Sequence, residues 1–384
     1  MAKKHLLFIS VFLAFLFSVP MVAQAAWQPS LTIGLMENQS DVLIKISSGH
    51  AICQTEEKSI KKLTPNSNLV VSVKNQTLAL DGKSVRGKNL EILPESSKIS
   101  DLQVSINGKP YHGRVKIILR GSTFTVINEI QTEDYLKGVI SKEMPEGWPL
   151  EAQKAQAIAA RTFALKNRKR HQSEGFDLCT STHCQTYAGI AGETSAGNQA
   201  VNDTYGEVLE YQGKLIDAVF HTDSGGMTEN SENVWETKIP YLRAAREKRT
   251  RTQPWEKKWD ISSFSSKINF PARLGALKKV SLSPLTIGKS ADDRGASGRV
   301  KQVNFIGAKG QITLSGNQLR SLLGLNSTLF DIKLDKNTVT ITGYGMGHGL
   351  GLSQWGARDW AAAGEDDAKI LARYYANSQI KKLY

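Results

Sequence analysis

The chain has 384 residues, of which 40% are hydrophobic and 22% are charged, and this ordinary globular composition excludes long disordered regions. Its formal net charge of +13 at pH 7 either attracts polyanions, such as cell-wall polymers and acidic lipid head groups, or only keeps the protein soluble. A chain of this length exceeds one small hydrophobic core and predicts two domains.

The first 25 residues have the layout of a secretory signal peptide. Lys3 and Lys4 precede an apolar run over residues 6–19, and the sequence Ala-Gln-Ala then predicts cleavage after Ala25. The apolar run is shorter than the roughly 20 residues that a spanning helix needs. We therefore expect export to the cell wall, the periplasm or the extracellular space. Anchoring to the membrane by an uncleaved N-terminal segment is the alternative.

Residues 26–105 are predicted to form a small β-rich N-terminal module. Apolar and polar residues alternate there in short runs such as DVLIKIS, NLVVSVK and LEILPES, and Gly, Asn, Ser and Pro residues separate these runs. Residues 106–384 mix strands and helices without a regular βαβ rhythm. The predicted fold class is therefore α+β rather than a doubly wound sheet.

Two consecutive helices form the strongest predicted unit of the chain. In TEDYLKGVISKEMP, the residues Leu136, Val139 and Ile140 recur at helical spacing, and Pro145 stops the helix. WPLEAQKAQAIAARTFALKNRKR follows and is rich in good helix formers. Shorter helices are predicted at GNQLRSLLGL and DDAKILARYYANS.

Glu143 is the carboxylate with the clearest chemical signal. It follows Val139 by four residues and Ile140 by three, so it shares the apolar face of the predicted helix. It also lies in the last turn, where the helix dipole disfavours negative charge. Both effects favour the protonated carboxyl, as a general acid near neutral pH requires. If the face assignment is wrong by one position, Glu143 instead points into solvent.

The cysteines and histidines allow two interpretations. Cys53, Cys179 and Cys184 are an odd number, so at least one thiol is left out of any pairing within the chain. Cys179, His183 and Cys184, with His171 upstream, offer the ligand types of a tetrahedral zinc site. A disulfide between Cys179 and Cys184 fits an exported protein equally well.

Two glycine-containing motifs are candidates for ligand contact. HTDSGGMTEN carries Ser224 in a turn after a strand, and GYGMGHGLGLSQWG surrounds His348 with glycines and contains Gln354. A Ser/His/Asp triad is not indicated, because the chain has no G-x-S-x-G elbow here. The second motif is not a dinucleotide fingerprint, since no βαβ unit precedes it, and a glycine-rich turn without a ligand is the alternative.

Five blocks resemble, in order, those of the stage II sporulation protein D and amidase-enhancer domain family. They are INEIQTEDYLKGVISKEMPEGWPLEAQKAQAIAARTFAL, FDLCTSTHCQTYAG, FHTDSGGMTENSENVW, SGRVKQVNF and GYGMGHGLGLSQWGA. The resemblance begins near Tyr111 and continues to the C-terminus. It implies a peptidoglycan-active α+β domain over residues 106–384, with lytic transglycosylase activity on glycan strands that have lost their stem peptides.

The resemblance also implies roles for single residues. Glu143, in SKEMP, is implied to be the catalytic acid and base. A structural zinc ion is implied at Cys179, His183 and Cys184, with His171 as the best available further ligand. Tyr241, in PYL, matches a position that lines the cleft. The predicted substrate contacts are Tyr241, His348, Ser224 and Gln354.

The predicted partner is the peptidoglycan glycan strand, without nucleic acid. An alternative function is a non-catalytic cell-wall-binding module that enhances an N-acetylmuramoyl-L-alanine amidase, which the family name and the net charge suggest. Zinc-dependent hydrolysis is a third interpretation. It requires an open coordination position for water, which a site with four protein ligands lacks.

Overall fold

The computed structural model describes residues 28–248 and 253–384, so the predicted signal peptide over residues 1–25 lies outside the described residues. The predicted α+β class is confirmed, with 24% of the residues in helices and 37% in strands. Within the described ranges, no helix combines the length and the apolar character that a membrane span requires.

The first twelve strands build two sheets with a common hydrophobic core. They are β1 (Ser30–Gln39), β2 (Asp41–Ser48), β3 (Ala51–Thr55), β4 (Ser59–Leu63), β5 (Asn68–Lys74), β6 (Thr77–Leu80), β7 (Lys83–Ser84), β8 (Asn89–Pro94), β9 (Gln103–Ile106), β10 (Lys109–His112), β11 (Arg114–Arg120) and β12 (Thr123–Gln131). The predicted period of two is confirmed in β2, where Val42, Ile44 and Ile46 are buried and the residues between them are exposed.

The sheets continue across the predicted boundary between residues 105 and 106. With β13 (Leu178–Cys179), the seven-stranded sheet has the order β13-β1-β12-β11-β8-β3-β4, and the six-stranded sheet has the order β10-β9-β2-β5-β6-β7. Strands from both sides of the boundary therefore lie in each sheet. The division into modules over residues 26–105 and 106–384 stays a prediction.

Eight helices are present in the described ranges. They are α1 (Thr132–Glu143), α2 (Leu150–Lys166), α3 (Ser195–Asp203), α4 (Glu232–Trp235), α5 (Ile261–Lys267), α6 (Gly316–Leu323), α7 (Gln354–Ala361) and α8 (Asp367–Tyr374). The four helices predicted from the sequence are confirmed as α1, α2, α6 and α8. Helix α2 is central, because it packs against α1, α3, α7 and α8. Short 3-10 turns cover Ile99–Asp101, Gln172–Glu174, Gly189–Gly192 and Ala272–Leu274.

A buried ion pair joins α1 to α2. Arg161 Nε and one Nη donate to the two carboxylate oxygens of Glu133 at 2.8 and 2.7 Å, and Arg161 has no exposed surface. The hydroxyl of Tyr384, near the C-terminus, donates to the same carboxylate at 2.5 Å. The bidentate pair fixes the relative position of the two helices and of the chain end.

The remaining strands lie in four small sheets. They are β14 (Glu207–Tyr211), β15 (Lys214–Leu215), β16 (Phe220–His221), β17 (Trp255–Asp260), β18 (Leu277–Ser281), β19 (Gln302–Gly307), β20 (Gly310–Ser315), β21 (Phe330–Leu334), β22 (Thr338–Gly343), β23 (Leu352–Ser353) and β24 (Gln379–Lys382). The sheets β17-β22-β21 and β18-β19-β20 surround a separate core that includes Phe264, Phe305 and Phe330. Helix α6 packs on this core through Leu319 and Leu323.

Candidate active site

A cavity of about 640 Å³ lies beside the C-terminal end of α1, and its volume is in the range of small-molecule sites. Its lining includes Glu143, His348 and Gln354, and also His183 and Cys184 from the predicted zinc ligands. The structure thus brings the predicted catalytic residue, two predicted substrate contacts and part of the predicted metal set to one cavity.

Glu143 is the last residue of α1, and its carboxyl is half-buried. Its Oε1 accepts a hydrogen bond from the Thr186 N–H at 3.1 Å, and its Oε2 accepts one from Gln354 Nε2 at 3.1 Å. Burial raises the pKa of Glu143, and the hydrogen bonds from Thr186 and Gln354 oppose this rise only in part. Glu143 therefore keeps its proton to a higher pH than an exposed glutamate does, as a general acid should.

Gln354 is the first residue of α7, and the start of this helix fixes its position. Ser353 caps the helix, with its Oγ accepting a hydrogen bond from the Gly356 N–H at 3.3 Å. Gln354 is 4% exposed, and its Nε2 also lies 3.5 Å from Oε1 of Gln156 in α2. Its amide is thus held between two helices and directed at Glu143.

His348 forms part of the cavity wall, but the backbone occupies both of its ring nitrogens. Nε2 donates to the Phe220 carbonyl at 3.0 Å, and Nδ1 accepts from the Leu350 N–H at 3.0 Å. Burial, followed by the positive charge of Arg299, lowers the pKa of His348 to about 4. The ring is therefore neutral at pH 7, and it offers a ligand its surface rather than a ring nitrogen.

His221 supplies an acceptor that the sequence analysis did not assign. It is 5% exposed and lines the same cavity, and its Nδ1 donates to the Leu350 carbonyl at 3.0 Å. Burial, followed by the adjacent His348, lowers the pKa of His221, so the ring is neutral. Its Nε2 is buried and has no hydrogen-bond partner within the described ranges.

The predicted metal ligands His171, Cys179, His183 and Cys184 form one cluster. Their ligand atoms all lie within 4.8 Å of one another. His183 Nδ1 is 3.7 Å from the Cys179 Sγ and 3.8 Å from the Cys184 Sγ, and His171 Nε2 is 3.4 Å from the Cys184 Sγ. Zinc bonds of about 2.0–2.3 Å place the ligands of a tetrahedral site roughly 3.3–3.8 Å apart, so these residues fit a zinc ion.

The chemistry of the cluster supports the same fit. In the structure all three cysteines are free thiols, so the Cys179 and Cys184 sulfurs are available as ligands. His171 Nδ1 contacts the Glu174 carboxylate, an arrangement that orients a metal-binding imidazole. The two thiols differ in acidity: burial raises the pKa of Cys184 to about 11, whereas at Cys179 burial is outweighed by hydrogen bonds from Ser181, which lower the pKa to about 6.

The loop that carries the cluster packs directly on α1. A Cβ atom at Gly138 would lie 2.7 Å from the Tyr187 ring and 2.8 Å from the Gly189 carbonyl, so only glycine permits this approach. The Ala188 N–H donates to the Gly138 carbonyl at 3.2 Å. The loop is thereby fixed against the helix that ends at Glu143, and its Thr186 N–H reaches the Glu143 carboxyl.

Tyr241 and Ser224 do not line this cavity. The Tyr241 hydroxyl donates to Asp217 Oδ2 at 3.2 Å and accepts from the Asp217 N–H at 3.0 Å, and Asp217 does line the cavity. Ser224 is fully buried, with its Oγ accepting a hydrogen bond from the Gly226 N–H at 3.0 Å. Tyr241 therefore lies behind Asp217, and Ser224 supports the turn from within.

Several residues of the cavity were missed by the sequence analysis. Asp217, Arg170 and Arg320 line the cavity but form no motif of their own, so no local pattern marks them. His221 and Trp235 also line it; both lie in the FHTDSGGMTENSENVW block, but neither was among the predicted substrate contacts. The hydrogen bond from the Thr186 N–H to Glu143 could not be predicted from the sequence either, because every residue type except proline supplies a backbone N–H.

Comparisons with known proteins place two family models on the chain. A model described as Stage II sporulation protein matches residues 120–211, which include α1, α2 and the cluster of predicted metal ligands. A model described as a domain of unknown function matches residues 247–351, which include the separate core under α6.

Curated relatives extend the similarity over most of the chain. Stage II sporulation protein D of Bacillus subtilis is 32% identical over 274 residues, which are 67% of this chain and 76% of that protein. An uncharacterized protein of Brachyspira hyodysenteriae is 34% identical over 280 residues, 72% of this chain and 73% of that protein. The amidase enhancer of Bacillus subtilis is 31% identical over 355 residues, 81% of this chain but 49% of that protein, so this chain spans about half of its length.

Proposed function

The chain belongs to the stage II sporulation protein D family, and we propose that it has a cell-wall role, in which it cleaves peptidoglycan glycan strands as a lytic transglycosylase. The observation that carries the proposal is the state of Glu143. Its half-buried carboxyl has a raised pKa, and it lies in a cavity large enough for a sugar.

A single carboxyl of this kind suffices for the reaction. Protonated Glu143 donates its proton to the glycosidic oxygen as the bond from that oxygen to C1 of the sugar breaks. The C6 hydroxyl oxygen of the same sugar then bonds to C1, and its proton passes to Glu143. The products are a free hydroxyl end and an anhydro end, no water is consumed, and Glu143 is protonated again. Ordinary glycoside hydrolases divide these tasks between two carboxyl groups.

The neighbours of Glu143 support both halves of this cycle. Thr186 and Gln354 hold its two oxygens from different directions, which keeps the carboxyl in one orientation for both proton transfers. The same two hydrogen bonds stabilise the carboxylate that exists after the first transfer. In this proposal, Gln354 is a positioning residue, His348 provides a wall of the sugar site, and Tyr241 acts through Asp217.

Zinc is proposed as a structural ion at Cys179, His183, Cys184 and His171. When bound, it would cross-link the loop between residues 171 and 184, and no position would remain for a catalytic water if all four residues bind. The benefit to the reaction is indirect, because this loop continues into Thr186, whose N–H bonds to Glu143. Loss of the ion is therefore expected to loosen the contact that orients the catalytic carboxyl.

The proposed location follows from the first 25 residues, which we propose to be an export signal. Peptidoglycan lies outside the cytoplasmic membrane, so an exported protein, secreted or retained at the membrane by its N-terminal segment, would meet this substrate. The net charge of +13 would favour its attraction to anionic wall polymers.

The test compares Glu143→Gln with Glu146→Gln on purified glycan strands stripped of their peptides. Glu146 is an exposed glutamate on the neighbouring loop, so its substitution makes the same chemical change outside the cavity. We expect the Glu143 variant to form no anhydro ends and the Glu146 variant to form them at the wild-type rate. Equal yields from wild type and Glu143→Gln would exclude the proposed role of Glu143.

A second candidate function is the non-enzymatic enhancement of a cell-wall amidase. The observation in its favour is the similarity to a protein named amidase enhancer. This function predicts that the protein sediments with glycan and stimulates an N-acetylmuramoyl-L-alanine amidase even when Glu143 is replaced by Gln. Stimulation that disappears in that variant would count against enhancement by binding alone.

A further inference from the structure

We infer that Arg320 binds a carboxylate carried by the sugar in the cavity, and so selects glycan whose muramic acid has a free lactyl group. The inference rests on the proposed function for the identity of the sugar. It also gives the region over residues 247–351, which matches a domain of unknown function, a role in recognising the substrate.

Helix α6 holds Arg320 in a fixed position at the cavity. Helix α6 begins with a capping box formed by Ser315 and Gln318, and it ends at Gly324, which has a left-handed conformation. Its apolar side is anchored in the separate core by Leu319 and Leu323. Arg320 follows Leu319 directly and lines the cavity that contains Glu143. Both ends of the helix are thus fixed, and the arginine is presented from a rigid element.

The positive charge of Arg320 has no partner among the described residues. Arg320 Nε donates to the Leu325 carbonyl at 3.3 Å. Within the described ranges, its two Nη atoms have no hydrogen-bond acceptor and no acidic side chain pairs with it. Burial lowers the pKa of Arg320, and no acid opposes that effect. A half-buried guanidinium in this state has two parallel donors free for a carboxylate.

Two other buried arginines in the region over residues 247–351 differ from Arg320, because their Nη atoms have acceptors within the protein. Arg294 donates to the carbonyls of Gly298 and Phe330 at 2.8 and 3.0 Å, and Arg299 donates to the Ser224 and Gly347 carbonyls at 2.9 and 3.3 Å. The protein interior therefore supplies acceptors for Nη atoms of both side chains, although the buried Arg299 Nε has no hydrogen-bond partner within the described ranges. Arg320 is left for a group that comes from outside.

Two neutral histidine rings, those of His221 and His348, line the cavity together with Arg320. The positive charge of Arg320 contributes to the lowered pKa of both rings, after burial and the charge of Arg299.

The neighbouring side chains suit a sugar. The buried Nε2 of His221 is an acceptor without a partner in the described ranges, which a sugar hydroxyl or amide N–H can fill. The Trp235 side chain is 40% exposed, and its ring centroid lies 5.9 Å from that of His348. An exposed aromatic face beside unfilled polar groups is typical of a ligand pocket.

The ligand chemistry follows from these donors. Of the two sugars in peptidoglycan, only muramic acid has an acidic group, the lactyl carboxylate, which is an uncharged amide while a stem peptide is attached. The charge that Arg320 requires exists only after the peptide has been removed. A peptide that remains attached carries carboxylates of its own, so the test must separate these two sources.

The experiment measures binding in the Glu143→Gln background, so that no turnover is needed. The probes are denuded glycan oligosaccharides with free lactyl carboxylates, the same oligosaccharides with these groups converted to methylamides, and oligosaccharides with intact stem peptides. We expect the first probe to bind roughly 10- to 100-fold more tightly than the other two. Equal binding of the free and methylamidated probes would overturn the inference, and tighter binding of the peptide-bearing probe would assign Arg320 to peptide carboxylates instead.

Arg320→Gln and Arg273→Gln are then compared in the same background. Arg273 is an exposed arginine of the same region and serves as the matched control. Arg320→Gln should bind the free and methylamidated probes equally, while Arg273→Gln keeps the preference. A preference that persists in Arg320→Gln would contradict the inference. If that variant does not fold, the probe comparison on the arginine-containing protein still tests the inference, because equal binding of the free and methylamidated probes would overturn it.

The assay also separates this inference from the proposed function. If the wild-type protein forms no anhydro ends but the carboxylate preference depends on Arg320, the transglycosylase proposal fails and the binding inference stands. If anhydro ends form at equal rates from free and methylamidated glycan, the binding inference fails and the transglycosylase proposal stands.

Discussion

Gln354 Nε2 donates a hydrogen bond to Glu143 Oε2 at 3.1 Å and joins two helix termini that lie 211 positions apart in the chain. The C-terminal end of α1 thereby meets the N-terminal end of α7. One residue is the proposed acid, and the other fixes its orientation and stabilises its charged form.

Replacing Gln354 by Met should change the pH dependence of the reaction. The donor that stabilises the Glu143 carboxylate is lost, so the pKa of Glu143 rises further. A general acid acts in its protonated form, and the descending alkaline limb of kcat/KM should therefore move to higher pH. We also expect a loss of about tenfold at the optimum, because the carboxyl is held less firmly. Gln302→Met, at an exposed position, is the control, and an unmoved alkaline limb would contradict the role given to Gln354.

Glu143→Gln should alter how stability depends on pH. The folded pKa of Glu143 is raised above its ordinary value, so the folded state binds more protons than the unfolded state between these two values. Wild-type stability should therefore fall as the pH rises through that window, and the variant should lack this loss. Denaturant unfolding of both proteins across the acidic range measures the difference. A stability difference that stays constant with pH would show that Glu143 is not perturbed.

The metal cluster should bind zinc and stabilise the fold. Elemental analysis of the wild-type protein should give one zinc ion per chain, and Cys184→Ala should lose it and melt at a lower temperature. Cys53→Ala is the matched control, since Cys53 is a buried thiol of the N-terminal sheet, outside the cluster. A wild-type protein without zinc, with Cys179 and Cys184 joined as a disulfide, would reverse the assignment.

The ion pair between Arg161 and Glu133 should be essential for stability. Arg161→Met leaves the Glu133 carboxylate buried without its partner, and we expect a loss of about 3–5 kcal/mol in the free energy of unfolding. Lys369→Met removes an exposed pair with Asp366 and should shift the denaturant midpoint little. If both variants unfolded at the same midpoint, the buried pair would not have the importance given to it.

The sequence predicted those parts of the protein that depend on local patterns. The period of two in β2 and the helical spacing of α1 and α2 follow from neighbouring residues, and so does the place of Glu143 on the apolar face at the end of α1. The four predicted metal ligands lie within fourteen positions of one another, so their grouping could also be predicted from the sequence.

The remainder of the site depends on long-range packing, which no local pattern encodes. Helix α7 was missed because its residues, QWGARDWA, contain a glycine and no clear apolar period, and its start is set by the Ser353 cap. Arg320 and His221 reach the cavity from elements about a hundred positions apart. The segment around Ser224 has the composition of a ligand-binding turn, yet the Ser224 hydroxyl accepts a hydrogen bond from the Gly226 N–H within that turn.

If Glu143 breaks the glycan without consuming water, the isotope content of the new chain ends will show it. Denuded glycan is digested by the wild-type protein in water enriched in oxygen-18, and the new chain ends are examined by mass spectrometry. We expect anhydro ends that contain no heavy oxygen and that are absent from the Glu143→Gln digest. New reducing ends that carry oxygen-18, or anhydro ends that persist in the variant, would contradict water-free cleavage by Glu143.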